Sequence, residues 1–119
     1  MNINKINDLN YWAIPSIRRQ KLNPRQRESI ANDIITKVCI YYNVSTDEIK
    51  GRKRFRNYVL ARHMAMFLIR TRVKLKLKAV GMMFHRDHTT TMHAMKSIQN
   101  QLDTDDLIKA DLKNLYNIL

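Results

Sequence analysis

Three of the four histidines lie in one short stretch, residues 84–95, which reads F-H-R-D-H-T-T-T-M-H-A-M. Histidine binds metals and transfers protons, threonine hydroxyls can act as nucleophiles, and both side chains hydrogen-bond to phosphates and base edges. The stretch is therefore a candidate metal site, catalytic centre or nucleic-acid-binding surface. The spacing of its residues distinguishes these alternatives.

The spacing argues against a metal site. Zinc-binding histidine pairs on a helix are four residues apart, whereas His88 and His93 are five apart and point about 140° away from each other. His85 lies across a turn from them. The single cysteine, Cys39, has no partner thiol and is expected to be a buried thiol in a reducing compartment. We expect no metal and no cofactor.

Enzymatic chemistry is also disfavoured. Nucleophilic catalysis needs an activated nucleophile, a base beside it and a group that orients the base, and the adjacency of Thr89–Thr91 to His88 does not supply that geometry. The sequence contains no G-x-x-x-x-G-K-[ST] motif, so it has no phosphate-cradling ATPase loop. We predict that the chain is not an enzyme and has no small-molecule substrate.

The charge favours a polyanionic partner. The chain has 22 Lys and Arg against 10 Asp and Glu, a formal net charge of +12, which points first to nucleic acid and second to an anionic membrane surface. No acidic residue lies between Glu48 and Asp87. That interval holds twelve of the 22 basic residues: Lys50, Arg52, Lys53, Arg54, Arg56, Arg62, Arg70, Arg72, Lys74, Lys76, Lys78 and Arg86.

Length and hydropathy predict one soluble domain. The chain has 119 residues, enough for one core, and no apolar run approaches the roughly 18 residues of a membrane span. The first ten residues lack the continuous apolar run of a secretory signal. We therefore expect a cytoplasmic protein, associated with nucleic acid if its charge serves the partner it favours.

Helical spacing of the apolar residues, with only two glycines and two prolines, predicts an all-α fold. Residues 1–22 are interpreted as an arm of uncertain structure, available to a protein partner, and residues 23–119 as the domain. Asn23-Pro24-Arg25-Gln26 predicts a helix start, and that helix should run to about Tyr42. Ser45 to Glu48 has capping-box spacing, which predicts a short helix that Gly51 breaks. A basic loop over residues 52–56 follows.

The second half should contain four helical segments joined by short connections. A helix from Tyr58 to about Arg72 is predicted to carry Arg62 and Arg70 off its core face. Residues 73–78 alternate like a strand, but a lone strand has no partner, so we interpret them as a helix end and an extended connection. A short helix at 79–84 and a turn at His85-Arg86 should follow. The last helix, from about Thr104, should have as its apolar side Leu107, Ile108, Leu112, Leu115 and Leu119.

The helix that begins after Asp87 and runs to about Leu102 has two distinct faces. The predicted core stripe is Met92, Met95, Ile98 and Leu102, and the predicted outer face is Thr89, His93, Lys96 and Asn100. Such a polar face, with Asp87 and His88 at the helix N-terminus, suits phosphates and base edges in the major groove. Asp87 can cap the helix and accept from a cytosine amine, or it can only cap.

These residues resemble a known family. Arg86-Asp87-His88-Thr89-Thr90, followed by Met92-His93-Ala94, resembles the signature of the C-terminal DNA-binding domain, domain IV, of the bacterial chromosomal replication initiator DnaA. The supporting segments upstream, in the order of the family, are Tyr41-Tyr42, Glu48-Ile49, Arg52-Lys53-Arg54, Arg62-His63-Met64-Ala65-Met66 and Val80-Gly81. The resemblance covers the chain from about Ile30 to Leu119.

The resemblance implies a multi-helix bundle with a Trp-repressor-like helix-turn-helix that binds the nine-base-pair, A/T-rich DnaA box in double-stranded DNA. It implies that Asp87, His88 and Thr89 read bases in the major groove and that Arg54 enters the minor groove. The positions that it places at the DNA backbone are Lys53, Arg62, His63, Arg70, Lys78, Arg86, Thr90 and His93. The expected role is that of a replication-related or regulatory accessory protein.

The sequence departs from the family at two positions. Only His85 separates Phe84 from Arg86, where the family commonly has two small residues, so the turn and the angle of the reading helix are expected to differ. Lys78 replaces a frequent proline, which removes an apolar base contact and adds a phosphate contact. Other readings are a non-specific binder of nucleic acid or acidic membranes, and a helix-turn-helix transcriptional regulator with a different target.

Overall fold

Every regular element between residues 22 and 119, the part of the chain that the computed structural model describes, is helical. The helices are α1 (Pro24–Tyr42), α2 (Thr46–Lys50), α3 (Arg56–Leu68), α4 (Leu77–Met83), α5 (His88–Thr104) and α6 (Asp106–Ile118), and a π-helical turn (Ile69–Val73) extends α3. The prediction of an all-α fold is therefore confirmed. The arm predicted at residues 1–22 lies, apart from Leu22, outside the described residues.

Local side-chain caps define the first two helices as the sequence predicts. The Asn23 carboxamide accepts from the Gln26 backbone N–H at 2.8 Å, and the Gln26 side chain accepts from the Asn23 N–H at 2.9 Å. Ser45 and Glu48 make the same reciprocal pair at 3.0 and 2.8 Å. Each capping box satisfies two backbone donors that have no partner within the helix, so these boundaries are encoded locally.

Helix α3 is the centre of the core. Residues 64–69 are all at most 2% exposed, because α1, α2 and α5 pack around this helix. The prediction that Arg62 lies off the core face is wrong, since its side chain is only 4% exposed. A helix surrounded by neighbours buries its whole circumference, which an amphipathic pattern does not predict.

The alternating segment after α3 forms no strand. The π-helical turn ends at Lys74, whose φ is 61°, and residues 74–76 connect to α4. The Arg70 guanidinium donates to the Leu75 carbonyl at 2.8 Å, and the Arg27 guanidinium donates to the Val73 carbonyl at 2.5 Å. These two hydrogen bonds hold the connection against α1 and the end of α3.

Helix α6 closes the bundle against α1. The Asp111 carboxylate accepts from the hydroxyls of Tyr41 at 2.8 Å and Tyr42 at 2.9 Å. The buried side of α6 comprises Ile108, Leu112 and Leu115. Leu107 was expected on this side but is 76% exposed, because it lies about 100° around the helix from Ile108.

Candidate nucleic-acid interface

Helices α4 and α5 form a helix-turn-helix whose turn is closed by its own backbone. The His85 N–H donates to the Met82 carbonyl at 3.2 Å, and the Arg86 N–H donates to the Gly81 carbonyl at 2.9 Å. His85 has a φ of 58°, in the left-handed region. This pair of bonds is a Schellman motif, which satisfies the last carbonyls of α4. The single residue between Phe84 and Arg86 therefore suffices to redirect the chain.

Gly81 allows the start of α5 to approach α4 closely. A Cβ atom at this position would lie 2.6 Å from the Asp87 carbonyl oxygen and 2.7 Å from that of Arg86. Both distances are well below van der Waals contact with backbone atoms that cannot rotate away. Any side chain at position 81 would thus separate the two helices and tilt α5. In the sequence, Gly81 is marked only by the family resemblance, although a glycine inside an apolar helix often has a packing reason.

The N-terminus of α5 presents polar side chains to solvent. Asp87 Oδ1 accepts from the Thr90 backbone N–H at 3.0 Å and from its hydroxyl at 3.2 Å, which confirms the predicted cap. These hydrogen bonds with Thr90, together with the neighbouring His88, hold the pKa of Asp87 below its ordinary value. Asp87, His88 and Thr89 are all exposed. The helix therefore offers a carboxylate, an imidazole and a hydroxyl at its positive end.

The outer face of α5 is as predicted, but the core stripe is not. Thr89, His93, Lys96 and Asn100 are all exposed. The buried residues are Thr91, Ala94, Ile98 and Leu102, whereas Met92, predicted to be in the core, is 52% exposed and Met95 is partly buried. The side that packs on α3 and α4 is thus rotated from the predicted stripe toward Thr91 and Ala94, and small residues there permit close helix packing.

The basic loop before α3 is exposed and contains an aromatic residue. Arg52, Lys53, Arg54 and Phe55 all face solvent, and Phe55 is 58% exposed. The Lys53 ammonium lies 6.0 Å from the centroid of the Phe55 ring, and the Tyr58 ring packs edge-on against that ring at 5.2 Å. Phe55 thereby adds an apolar surface within the loop, which the basic sequence pattern did not predict.

Arg62 does not face outward. Its Nε donates to the Ile49 carbonyl at 2.6 Å, and its Nη2 lies 3.1 Å from the Gly51 carbonyl and 3.4 Å from each of the Glu48 and Lys53 carbonyls. Burial, with the charges of Arg86 and Arg54, lowers the pKa of Arg62 to about 10, so the group stays charged at neutral pH. Because Nε and Nη2 donate within the protein and Arg62 is only 4% exposed, its burial disfavours the expected contact with the DNA backbone, which stays a prediction.

The Arg86 guanidinium, like that of Arg62, donates to backbone carbonyls within the protein. Arg86 is partly buried, and its guanidinium donates to the carbonyls of Gly51 at 2.6 Å, Phe84 at 2.7 Å and Lys50 at 3.3 Å. Burial and the charges of Arg52 and Arg54 lower its pKa. The residue expected at the DNA backbone therefore links the helix-turn-helix to the base of the basic loop.

The remaining expected backbone positions differ in exposure. Lys53, Lys78 and His93 are exposed, whereas Arg70 and Thr90 are partly exposed. His63 is also partly buried; burial, and then the charges of Arg62, Arg54 and Arg86, lower its pKa. A neutral imidazole binds phosphate less strongly than a cation, so His63 is a weaker phosphate partner than its sequence context indicates.

Residues 22–119 contain no group of three or more His, Cys, Asp and Glu side chains that could hold a metal ion. Within the same range, no helix is both long and apolar enough to cross a membrane.

Comparison with known proteins gives one consistent family. A family model described as the bacterial dnaA protein helix-turn-helix matches residues 31–98. The chromosomal replication initiator protein DnaA of Streptococcus thermophilus is 37% identical over 107 residues, 88% of this chain and 24% of that protein. The DnaA protein of Thermoanaerobacter sp. is 33% identical over 97 residues, 82% of this chain and 22% of that protein. The chain thus spans less than a quarter of the length of these relatives.

We expect Gly81→Ala to destabilise the domain by about 1–3 kcal/mol, because the new methyl group overpacks against two backbone carbonyls. Alanine is intrinsically the better helix former by about 1 kcal/mol, so the close contact must outweigh a favourable propensity. Urea unfolding measures the change, with Lys78→Ala on the exposed side of the same helix as the control. A Gly81→Ala variant at least as stable as the parent chain would contradict the close approach.

Acidification should destabilise the folded chain through His63. Its folded pKa is lower than its ordinary value, so its contribution to stability is complete above about pH 6.5 and is lost as the pH falls below that value. Thermal unfolding midpoints at about pH 7.5 and pH 5.5 measure the loss. His63→Gln should reduce it, whereas His93→Gln, at an exposed imidazole, should not. An equal loss in parent and His63→Gln would show that another group is responsible.

Proposed function

The chain belongs to the bacterial DnaA helix-turn-helix family, which binds DNA at DnaA boxes, and from this premise we propose that it binds double-stranded DNA sequence-specifically at DnaA-box-like sites. The observation that carries this proposal is the exposed start of α5, where Asp87, His88 and Thr89 extend beyond a capped first turn. At such sites the chain acts as a replication-related or regulatory accessory factor, and its DNA partner places it at the nucleoid.

Helix α5 supplies the reading side chains. Its N-terminal turn enters the major groove, where His88 and Thr89 hydrogen-bond to base edges and Asp87 accepts from a cytosine amine while it caps the helix. Thr90, in the same first turn, and His93, one turn further along, bind adjacent phosphates. Met92, exposed between these polar groups, adds an apolar surface of the kind that contacts thymine methyl groups.

The cationic groups around α5 hold the duplex in place. Arg54 enters the minor groove from the basic loop, where a narrow A/T-rich groove attracts a guanidinium. Lys53, Arg70 and Lys78 neutralise phosphates and release counterions, which gives affinity that depends on salt but not on sequence. Lys78 is exposed in the first turn of α4, the place in a helix-turn-helix that crosses the backbone.

Charge alone also fits a non-specific binder of nucleic acid or acidic membranes, since the net charge is +12. Such a binder would not require a wholly polar outer face on α5 or an aspartate that caps its start. An aspartate that faces phosphates costs affinity unless it meets a donor, so the exposure of Asp87 in a chain of net charge +12 favours base reading. The same argument is equally consistent with a regulator that reads a different sequence through the same residues.

The direct test compares a DnaA-box duplex with a scrambled duplex of equal composition at near-physiological salt. We expect the 119-residue chain to bind the box at least about 100-fold more tightly, since specific binding usually exceeds non-specific binding by about a thousandfold or more. Fluorescence anisotropy with both duplexes gives the ratio. Equal affinities would reject the specific reader and leave the non-specific binder. A strong preference for another sequence would keep the interface and change its target.

Two substitutions should separate base reading from phosphate binding. His88→Ala should reduce the preference for the box by ~1–3 kcal/mol, because it removes a base contact. Lys78→Ala should weaken both duplexes alike and lower the slope of log affinity against log salt by about one, because it removes a phosphate contact. Titrations at several salt concentrations measure both quantities. An unchanged preference in His88→Ala would refute its role in base reading.

A further inference from the structure

Two arginines meet at one carbonyl oxygen beneath the basic loop. The Gly51 carbonyl accepts from Arg62 Nη2 at 3.1 Å and from Arg86 Nη2 at 2.6 Å. We propose that Arg62 and Arg86 are positioning residues that fix the basic loop relative to α5, so that Arg54 and His88 read the two grooves at a set separation. This inference rests on the proposed function and assigns to both arginines a role other than phosphate contact.

The need for these donors arises at the end of α2. The last four carbonyls of a helix have no intrahelical partner, and α2 has only five residues, Thr46–Lys50. Arg62 donates to the Ile49 carbonyl at 2.6 Å and also reaches the Glu48 carbonyl at 3.4 Å, while Arg86 reaches the Lys50 carbonyl at 3.3 Å. A planar guanidinium can span several carbonyls at once, which a lysine ammonium cannot do in the same geometry. The start of the loop is thereby fastened to α3 and to the helix-turn-helix.

Arg86 makes the link to the reading helix. It precedes Asp87, the cap of α5, and its Nη1 also donates to the Phe84 carbonyl in the turn at 2.7 Å. A cleft of about 430 Å³ beside it is lined by residues of both segments, namely Lys50, Gly51, Arg52, His85 and Arg86. The base of the loop and the turn before α5 therefore face each other across one guanidinium.

The charges in this cluster add to the positive field of the basic loop. No carboxylate among residues 22–119 forms an ion pair with Arg62 or Arg86, although Arg62 is only 4% exposed. The positive charges of Arg54 and Arg86 lower the pKa of Arg62, so the cations repel one another in the free protein. Among residues 22–119 these guanidinium groups donate to backbone carbonyls instead of carboxylates, so their charges add to the positive field of the basic loop.

The test uses base analogues that change one groove at a time. A 2,6-diaminopurine·thymine pair adds an amino group to the minor groove and leaves the major-groove edge of the base pair unchanged. A hypoxanthine·cytosine pair keeps the minor-groove pattern of A·T and presents a G·C-like major groove. Each analogue replaces one A·T pair of the box at a time, and the loss of affinity relative to the unmodified box is measured for the 119-residue chain.

We expect the parent chain to lose about fivefold or more in affinity with diaminopurine at one or more pairs. Arg62→Lys should reduce that loss to under about twofold while it retains the loss with hypoxanthine, because only the loop is released. Arg86→Lys should reduce both losses, because Arg86 holds the loop and the turn. The matched control is Arg27→Lys. The Arg27 guanidinium of the parent chain donates to the Val73 carbonyl, away from the loop, so this variant should retain both losses.

The outcomes are distinct. A folded Arg62→Lys that retains the diaminopurine loss, or that weakens all duplexes by one factor as a phosphate contact would, overturns the inference. If thermal unfolding shows that Arg62→Lys does not fold, Arg86→Lys decides by the same criterion. A parent chain that prefers the box but shows no diaminopurine loss overturns the inference and leaves the proposed function intact. A parent chain that binds box and scrambled duplexes equally rejects the proposed function itself.

Discussion

The proposed DNA-binding surface depends on which donors hydrogen-bond to the carbonyl groups at the end of α2. The last four carbonyls of any helix lack an intrahelical partner, and at the end of α2 the chain turns into the basic loop. Arg62 from α3 and Arg86 from the helix-turn-helix supply the donors and meet at the Gly51 carbonyl. The carbonyls at the end of α2 thereby bring together Gly51 and two arginines that lie 11 and 35 positions from it in sequence. The loop owes its position to these hydrogen bonds, although its own residues are almost all exposed.

The second constraint is the contact between α4 and the start of α5. Gly81 leaves room for the Asp87 carbonyl, and the Schellman bonds around His85 turn the chain within a single residue. A left-handed histidine is less favourable than a glycine at this position, so the short turn stores some strain. That strain accompanies a compact junction in which Arg86 emerges directly beside the base of the loop. The shortened turn and the arginine cluster are thus parts of one arrangement.

The net charge overstates the number of cationic side chains that are exposed at the surface. Of the twelve basic residues between Glu48 and Asp87, Arg62 and Arg72 are each 4% exposed. The buried Arg62 guanidinium affects the surface only through its electrostatic field. Burial lowers its pKa, but the group stays charged at neutral pH. Arg54 and Lys53, by contrast, are exposed and can reach a duplex directly. Counting cations in a sequence therefore predicts the class of partner but not which side chains touch it.

The sequence by itself determined what local interactions encode. The capping boxes at Asn23 and Ser45, the Asp87 cap and the polar outer face of α5 follow from side chains within a few residues of each other. Only the tertiary structure decided which side of each helix is buried. It placed Met92 outside the core and Arg62 inside it, because burial depends on where neighbouring helices pack and a helical pattern cannot locate them. The junction of Arg62 and Arg86 at Gly51 likewise exists only once α2, α3 and the helix-turn-helix have assembled.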